Sequence, residues 1–530
     1  MSRSSLSFWK NRSIYAFVAG LAGLTVLLLG GLAQAPARAQ DAPPLVETID
    51  VHLVNVDVVV TDRKGEVVRG LTAEDFELFE DGKRVKITNF SFIDRQPPEA
   101  ASEDQPEPEP EADAPPPPPL HLVVYVDNRN LQPTSRNRLM PAVESFLGSR
   151  LSDQDQVMVV SFDNGLRILH PFSAEREAVV ASLEPLKKGT TRAMIRGSEA
   201  RRVAADLLSA DDKTGADAIA QWQMFQEAQK EEALKGLNVL ASFVEALAGL
   251  PGQKAVLFIS EGFAMTADSR NALDRITTAA NSSDVTFYAL DGLGPDTAGD
   301  QQAASVNSGA EAFVNNTLTV DRRRTLQRLS DDTGGFAVTN TYNFDRGLER
   351  VGQSLASAYS LGFVPKRERD GKYHELKVKV KGRGLTVRYS TGYQDKQVVA
   401  MLADRTLAAL QFDAELDNPM EVSVRRSPQA QEEWVIAIPL RHITLIPQGK
   451  LHQGQVRLLV ASQRPGGALA PVKEITLPIK IPAEQMAAGG PPAIGYKVAL
   501  AGDETRLAVG AQDIVARTQS FARVVVEPGG

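Results

Sequence analysis

The chain has 530 residues, of which 43% are hydrophobic and 23% are charged, so it contains enough apolar material for several separate cores. It has no cysteine, which excludes disulfides, thiolate metal sites and a cysteine nucleophile. The formal net charge is -8, and because no basic excess is present we expect no nucleic-acid partner.

The N-terminus has the organisation of an export signal. Arg3, Lys10 and Arg12 precede an apolar stretch from Ile14 to Ala33, and Ala37-Arg38-Ala39 provides a cleavage motif. We therefore predict a signal peptide at residues 1–39 and a protein that is periplasmic, exposed on the cell surface or secreted. The apolar stretch is also long enough to cross a bilayer, so an uncleaved N-terminal anchor stays open as the one expected membrane contact.

Residues 46–95 have the pattern of a small β domain. Valines at positions 54, 56, 58 and 60 alternate with other residues, and Asp81-Gly82 is a typical hairpin turn. Residues 97–119 contain ten prolines and seven acidic residues, with no basic residue. This composition lacks the apolar groups that would favour a fold, so we predict an extended linker.

Residues 120–365 alternate between buried strands and amphipathic helices. Leu122–Val126, Ala255–Ile259 and Val285–Leu290 are continuous apolar runs, as expected for strands that are covered on both faces. The fold class is therefore α/β, with a doubly wound, mostly parallel sheet and helices on both faces. Asp163-Asn164-Gly165 predicts one hairpin in it, and Tyr359–Val364 is predicted as its last strand.

Two β-rich segments follow the α/β domain. Residues 366–395 alternate in hydrophobicity on both sides of a turn at 381–384, which predicts an appended hairpin. Residues 398–530 contain a helix at Met401–Leu410 and several short strands separated by Gly, Pro and Asn. This spacing favours a β-sandwich-like domain.

Acidic residues follow three of the predicted parallel strands. Asp127, Glu261 and Asp291 each come directly after a strand, and Thr190 and Thr191 lie in a loop. Since parallel strands end at one edge of a sheet, where ligands usually bind, these side chains are expected to form one rim. We use "the rim" for these residues together with Asn128, Arg129 and Asn130.

The segment Leu120 to Val364 resembles a von Willebrand factor A-type (vWA) domain, and residues 46–395 resemble a bacterial vWA-related family that begins with a short β domain. The resemblance is carried by short segments that occur in the expected order: Val58-Val59-Val60-Thr61-Asp62, Gly70-Leu71-Thr72-Ala73-Glu74-Asp75-Phe76, Glu80-Asp81-Gly82, Tyr359-Ser360-Leu361-Gly362-Phe363, Asp370-Gly371-Lys372-Tyr373-His374 and Arg388-Tyr389-Ser390-Thr391-Gly392-Tyr393. The resemblance implies the vWA fold and a role in protein binding.

vWA domains usually carry a metal-ion-dependent adhesion site with the signature D-x-S-x-S, and this sequence departs from it. Asp127 is present, but Arg129 and Leu131 occupy the two serine positions, and neither side chain ligates a cation. We expect the site to be degenerate, with Arg129 in place of the cation and paired with Asp127 or Glu261. No cofactor is expected with certainty. Mg²⁺ or Ca²⁺ on Asp127, Thr190 and Glu261 stays open if Asn128 and Asn130 supply oxygens.

The expected function is that of an exported, non-enzymatic protein-binding module with the rim as its contact surface. The alternative is a structural component of the cell envelope whose contacts are made by the β domains. An enzyme is disfavoured because the G-x-S-x-G, Walker A, G-x-G-x-x-G and H-x-x-x-H motifs are missing. Residues 191–234 form a long insertion, for which solvated helix surface is favoured over a flap that covers the rim.

Overall fold

The computed structural model describes residues 52–95, 119–189, 191–208, 214–263, 266–295, 322–367, 369–412, 416–428, 430–464 and 469–526. The predicted signal peptide and residues 97–118 of the predicted linker lie outside these residues. Within the described part of the chain, no helix combines the length and the apolar character that crossing a bilayer requires.

Short strands make up the segment before the α/β domain. They are β1 (Val54–Thr61), β2 (Phe76–Glu80), β3 (Lys83–Val85) and β4 (Asn89–Asp94). β2 and β3 pair antiparallel, so the predicted Asp-Gly hairpin is confirmed. Asp81 and Gly82 form its turn at φ 47° and 75°, the left-handed region that this dipeptide tolerates best.

The α/β domain is built on a sheet whose strand order is β10-β9-β8-β5-β6-β7. Its strands are β5 (His121–Asp127), β6 (Gln156–Phe162), β7 (Leu166–Ser173), β8 (Lys254–Ser260), β9 (Val285–Asp291) and β10 (Ala337–Val338). Every neighbouring pair is parallel except β6 and β7, which form the predicted hairpin. The prediction of a mostly parallel sheet is therefore confirmed. All residues of β5 and β8 are buried, which explains their uninterrupted apolar runs.

Helices cover both faces of this sheet. They are α1 (Pro133–Ser149), α2 (Arg176–Ala181), α3 (Glu184–Lys188), α4 (Arg192–Leu208), α5 (Gly215–Leu247), α6 (Ala267–Ser282) and α7 (Phe344–Ala356), and residues 322–331 are also helical. α1 and α7 contribute to the core on one face, and α5 and α6 contribute to the core on the other. On α5, Leu237, Leu240, Val244 and Leu247 repeat at helical spacing and are buried, as the sequence pattern predicted.

The segment that follows α7 corrects one expectation. β11 (Ser357–Phe363) was expected to be the last strand of the α/β sheet, but it pairs antiparallel with β1 and β4 instead. The sheets of this β sandwich have the orders β13-β1-β11-β4 and β14-β12-β2-β3, where β12 is Tyr373–Val380, β13 is Thr386–Tyr389 and β14 is Gly392–Gln394. The predicted hairpin at 366–395 is wrong, because β12 and β13 on either side of its turn pair with β2 and β1 and not with each other. The segments 46–95 and 366–395 instead complete each other's sheets.

Burial gives the physical reason for this joint sandwich. A hairpin or a few short strands cannot cover an apolar face alone. Val58, Leu78, Tyr359, Leu361 and Val378 come from both halves of the chain and form one core. The Tyr359 hydroxyl also donates a hydrogen bond to the Val68 carbonyl oxygen at 2.9 Å. The α/β domain is therefore an insertion between the strands of a sandwich.

The C-terminal region consists of a helix and a β-rich domain. Its elements are α8 (Val398–Gln411), β15 (Ser423–Ser427), β16 (Ala430–Pro439), β17 (Ile446–Gln448), β18 (Leu451–Gln463), β19 (Lys473–Pro482), α9 (Ala483–Ala487), β20 (Ala493–Ala499), β21 (Arg506–Asp513) and β22 (Gln519–Val525). β15, β16 and β20 form one sheet, and β17, β18, β19, β21 and β22 form another. The predicted helix is confirmed. β21 was not predicted, because it is buried almost throughout and its apolar residues do not alternate with polar ones.

Candidate functional site

The strand register places the predicted acids at one edge of the α/β sheet. Asp127 ends β5 and Asp291 ends β9, while Glu261 directly follows β8. Ser260 is level with Asp291 in the β8–β9 pair. β5 lies between β6 and β8, so the chain switches sides of the sheet at this strand, which is where open α/β sheets usually bind ligands.

Asp127 is 1% exposed and is held by hydrogen bonds from its own neighbourhood. The Ser260 hydroxyl donates to Oδ2 at 2.7 Å, and the Asn130 side-chain amide donates to the same oxygen at 2.9 Å. The Asn130 backbone N–H donates to Oδ1 at 3.3 Å. These donors satisfy the carboxylate with neutral groups, so Asp127 does not need a cation to be stable when buried.

Glu261 is buried in the turn that follows β8. Its Oε1 accepts a hydrogen bond from the Gln132 backbone N–H at 3.0 Å. Burial raises the pKa of Glu261, while the hydrogen bonds from Gln132 and Ser135 oppose the rise. The next residue, Gly262, has φ 75°, and a Cβ there would lie 2.3 Å from the Arg322 carbonyl oxygen, so only glycine fits this turn.

Asp291 is also internally paired. The Arg323 Nε donates to its Oδ2 at 2.7 Å, and the Leu293 backbone N–H donates to its Oδ1 at 2.9 Å. Burial raises the pKa of Asp291, and these same two partners oppose the rise. Asp291 thus caps the loop that follows β9 and is also paired with a guanidinium.

Arg129 does not pair with Asp127 or Glu261, which corrects the expectation. Its Nη2 lies 2.9 Å from Oε2 of Glu232, a residue of α5. Arg192, at the start of α4, reaches the other oxygen of Glu232 at 3.3 Å. Asp127 has donors of its own, so the guanidinium turns toward the helix that covers the sheet edge. Burial favours a higher pKa for Glu232, but Arg129 and Arg192 outweigh it and the pKa is lowered.

The remaining rim residues are used in local contacts. Asn128 donates to the Ser161 hydroxyl at 3.0 Å, and its own oxygen accepts from Arg136 Nη1 at 3.3 Å. Thr191 is buried, and its hydroxyl lies 3.4 Å from the Met194 backbone N–H as α4 begins. Thr190 lies outside the described residues. The oxygen of Asn128 therefore faces a guanidinium.

The two ends of the insertion contact the rim, while most residues between 214 and 231 are exposed, as expected for solvated helix surface. The Gln132 side-chain amide donates to the Ala193 carbonyl oxygen on α4 at 3.1 Å. On α5, a Cβ at Gly236 would lie 3.1 Å from the Phe162 ring and 3.8 Å from Arg129, so the helix packs closely against the sheet edge here. All described rim residues are buried, with 0–7% of their surface exposed. The rim is thus not an open contact surface in this structure.

The donor set does not fit the divalent cation that the vWA resemblance implies. The first serine position carries Arg129, whose positive charge repels a cation, and the second carries Leu131, which belongs to the apolar core. The described carboxylates of the rim already accept hydrogen bonds from protein groups. A cation would have to displace these donors and overcome the guanidinium charge.

Several residues that shape the site were not found from the sequence. Glu232 and Arg192 are charged residues of helices, and nothing in their local pattern separates them from solvated surface. Arg136 was read only as part of a helix, yet it is 1% exposed and its guanidinium donates to the Gly189 carbonyl oxygen at 2.6 Å. The sequence signal of this burial is that a charged residue occupies a position on the apolar side of α1.

Comparisons with known proteins give similar solved structures at low sequence identity and low TM-score. No protein-family model and no curated protein matches the chain. Solved structures that are similar to it are vWA-domain proteins: the vWF domain of the type V pili tip protein Mfa5 from Porphyromonas gingivalis (10% identity, TM-score 0.25, 45% of this chain and 95% of that one) and a von Willebrand factor type A protein from Catenulispora acidiphila (9% identity, TM-score 0.24, 77% and 66%). An aerotolerance-related membrane protein from Bacteroides fragilis is also similar (12% identity, TM-score 0.24, 44% and 98%). The fold description rests on the strand order and register given above.

Proposed function

We propose that this protein is an exported, non-enzymatic protein-binding module whose contact surface is the outer face of α4 and α5. These two helices close the rim and pair with it through Arg129, Glu232 and Arg192. The rim is buried, and its carboxylates accept hydrogen bonds from protein groups. A partner therefore contacts the covering helices and not the rim. Binding on this account needs no divalent cation at Asp127.

The observation that carries this proposal is the exposure of apolar side chains on the covering helices. Met224 is 74% exposed and Ile219 is 50% exposed on α5, and Met194 and Ile195 are 49% and 46% exposed on α4. Exposed large apolar side chains on neighbouring helices are typical of interaction sites, and methionine adapts its shape to a partner. Trp222 and Phe225 stack beside them with ring centroids 6.0 Å apart, and aromatic residues are enriched in interface cores.

A site-specific cross-linking experiment tests this proposal. A photo-reactive amino acid is placed at Met224 on α5 and, as the matched control, at Ile446, which is 46% exposed in the C-terminal domain. The chain is expressed in its host and irradiated. We expect cross-linked species from position 224 that disappear when Ile219→Glu is added. Their absence at 224 contradicts the proposal, and self-association would show as a species of twice the chain's mass.

The second candidate is a structural component of the cell envelope that makes contacts through its β domains. Exposed apolar residues of the C-terminal domain favour it, because Val525 is 58% exposed and Ile446 and Leu469 are 46% and 44% exposed. The same experiment separates the two candidates. Cross-links that form at Ile446 and not at Met224 would support the second function and reject the first.

Export is proposed from the sequence of residues 1–39, which lie outside the described residues. If the signal is cleaved after Ala39, the mature chain begins at Gln40. N-terminal sequencing of the protein from its host tests this directly. A chain that still begins with the apolar stretch would indicate the uncleaved anchor.

A further inference from the structure

A second group of charged side chains lies far from the rim, in the β sandwich. Asp370, His374 and Asp395 each offer one ligand atom, and these atoms lie within 4.8 Å of one another. The histidine Nε2 is 3.1 Å from Oδ1 of Asp370. His374 and Asp395 are buried, whereas Asp370 borders solvent.

The pairing of β12 with β14 brings these residues together. His374 lies opposite Tyr393 in this pair, and Asp395 comes directly after β14. Backbone hydrogen bonds fix the end of the ladder, because the Gly371 N–H donates to the Asp395 carbonyl oxygen at 2.8 Å and the Asp395 N–H donates to the Lys372 carbonyl oxygen at 2.9 Å. The three residues are thus positioned by the end of the β12–β14 ladder rather than by a free loop.

His52 contacts this group from the other sheet. It lies two residues before β1, and its Nε2 lies 2.9 Å from Oδ1 of Asp395. Asp395 is only 2% exposed, so the imidazole gives its buried Oδ1 a partner. Carboxylates that ligate a metal are usually held by such a neighbouring side chain, so His52 is placed to orient Asp395 and not to ligate the metal itself.

The second ring nitrogen of His374, Nδ1, contacts a carboxylate, as is usual for histidines that bind a metal through Nε2. Its Nδ1 lies 3.0 Å from Oδ2 of Asp81, whose other oxygen accepts from the Glu375 backbone N–H at 3.1 Å. A carboxylate on Nδ1 fixes the tautomer that leaves Nε2 free to ligate. Arg367 also approaches Nδ1, at 2.7 Å, and it pairs with Glu80 at 2.8 Å.

We propose that Asp370, His374 and Asp395 form a Zn²⁺ site at the β12–β14 pair, with His52 orienting Asp395 from the start of β1. This site is separate from the protein-binding surface proposed above and from the rim. Zinc takes imidazole nitrogen and carboxylate oxygen at about 2.0–2.2 Å in tetrahedral geometry, which places ligand atoms about 3.3 Å apart. The observed separation of 3.1 Å between His374 and Asp370 is close to this value.

The donor chemistry selects the metal. Mg²⁺ and Ca²⁺ prefer oxygen ligands only, whereas an imidazole together with two carboxylates suits zinc and similar transition metals. The competing interpretation is a metal-free cluster in which a doubly protonated His374 bridges Asp81 and Asp370 as a salt-bridge network. The two interpretations differ in one measurable property, which is zinc binding with defined stoichiometry.

Titration of the full-length chain with ZnCl₂ after removal of metal by a chelator tests the proposal. We expect one zinc per chain by calorimetry and by elemental analysis, together with a rise in Tm on binding. His374→Gln is expected to weaken zinc binding at least 100-fold. The matched control is His170→Gln, which changes an exposed histidine on β7 and is expected to bind zinc like the wild type.

His52→Gln provides a second variant, because His52 lies at the edge of the sandwich and its loss should leave the fold intact. We expect it to weaken zinc binding at least tenfold, with circular dichroism unchanged. The proposal is overturned if the wild type binds no zinc, or if both variants bind it as tightly as the control. Zinc binding that Asp127→Asn abolishes and His374→Gln does not would place the metal at the rim instead.

Discussion

The rim of the α/β domain and the histidine–aspartate cluster of the β sandwich both bury carboxylates, but they satisfy them differently. At the rim, Asp127 accepts hydrogen bonds from Asn130 and Ser260, and Asp291 accepts one from Arg323. In the cluster, Asp370, His374 and Asp395 bring three potential ligand atoms within 4.8 Å of one another, and His52 contacts Asp395. The rim carboxylates are held by hydrogen bonds from protein groups, whereas the cluster has the donor set of a metal site.

This difference shows why position in the fold does not determine whether a site binds metal. The rim is at the place where α/β sheets usually bind ligands, yet its carboxylates accept hydrogen bonds from protein groups, and Arg129 stands at the first serine position of the vWA signature. The cluster is in a sandwich whose strands come from both ends of the α/β domain, and its ligands are ordered by β-ladder contacts. The donors around each carboxylate are the deciding property.

The largest expected effect is at the rim. Arg129→Met leaves Glu232 without its buried partner, and we expect the free energy of unfolding to fall by about 3 kcal/mol. Urea denaturation measures this loss. The double variant Arg129→Met/Glu232→Leu should recover most of it, because only Arg192, whose side chain is 34% exposed, then loses its partner.

Arg150→Met is the matched control for that prediction. Arg150 pairs with Glu349 at 3.2 Å, but the two side chains are 51% and 46% exposed. An exposed pair contributes at most about 1 kcal/mol. If Arg150→Met lowers the free energy of unfolding as much as Arg129→Met does, the pair at the rim contributes no more to stability than an exposed pair.

Asp57 on β1 gives a pH-dependent test of how the sandwich tolerates a carboxylate. Burial and the nearby charge of Asp284 raise its pKa from 3.8 to about 6. The folded state then binds its proton more tightly than the unfolded state, so this group's contribution to stability falls as pH rises from about 4 to 6. Asp57→Asn should therefore stabilise the protein above pH 6 by up to about 3 kcal/mol.

The measurement is urea denaturation of wild type and Asp57→Asn between pH 4 and pH 7.5. We expect the two proteins to be closest in stability near pH 4, where the wild-type carboxyl is protonated in the folded state and partly protonated in the unfolded state. A difference in stability that stays constant across this pH range would mean that Asp57 does not titrate in the predicted range.

Asp81→Asn sharpens the description of the cluster. The Asp81 side chain contacts His374 but is not a ligand, so its change should weaken zinc binding by about 10–100-fold without abolishing it. This corresponds to about 1.4–2.7 kcal/mol of binding free energy. Calorimetry with zinc measures it. Complete loss of binding would make Asp81 a ligand, and no change would show that Nδ1 of His374 is held by Arg367.

The smallest expected effect on stability is on the outer face of the insertion. Met224→Lys changes a side chain that is 74% exposed, so the free energy of unfolding should change by at most about 0.5 kcal/mol. The variant should nevertheless lose the cross-links that form at a neighbouring photo-reactive residue on α5. Retained cross-links would show that this face does not carry the binding function.

Much of the fold could be predicted from the sequence because its signals are local. The apolar runs of β5 and β8, the helical stripe of α5 and the Asp-Gly turn after β2 all appear in the structure as expected. The position of β11 could not be predicted, because its pairing with β1 joins residues some 300 positions apart. No local pattern encodes that choice of partner.

The candidate sites show the same limit. Asp127, Glu261 and Asp291 could be placed at one edge because strand ends share an edge in a parallel sheet. The partner of Arg129 could not be predicted, because Glu232 lies on an inserted helix whose packing depends on the whole domain. His52 and Asp395 are likewise distant in the chain, and only the sandwich brings them to 2.9 Å.

The central claim is that the rim is closed to a divalent cation by the chain's own charges. Calorimetric titration of the full-length protein with Mg²⁺ and Ca²⁺, compared between wild type and Asp127→Asn, tests it most directly. The account predicts no binding heat that depends on Asp127 up to millimolar concentrations. Mg²⁺ or Ca²⁺ binding in the micromolar to low millimolar range that disappears in a folded Asp127→Asn variant would contradict it.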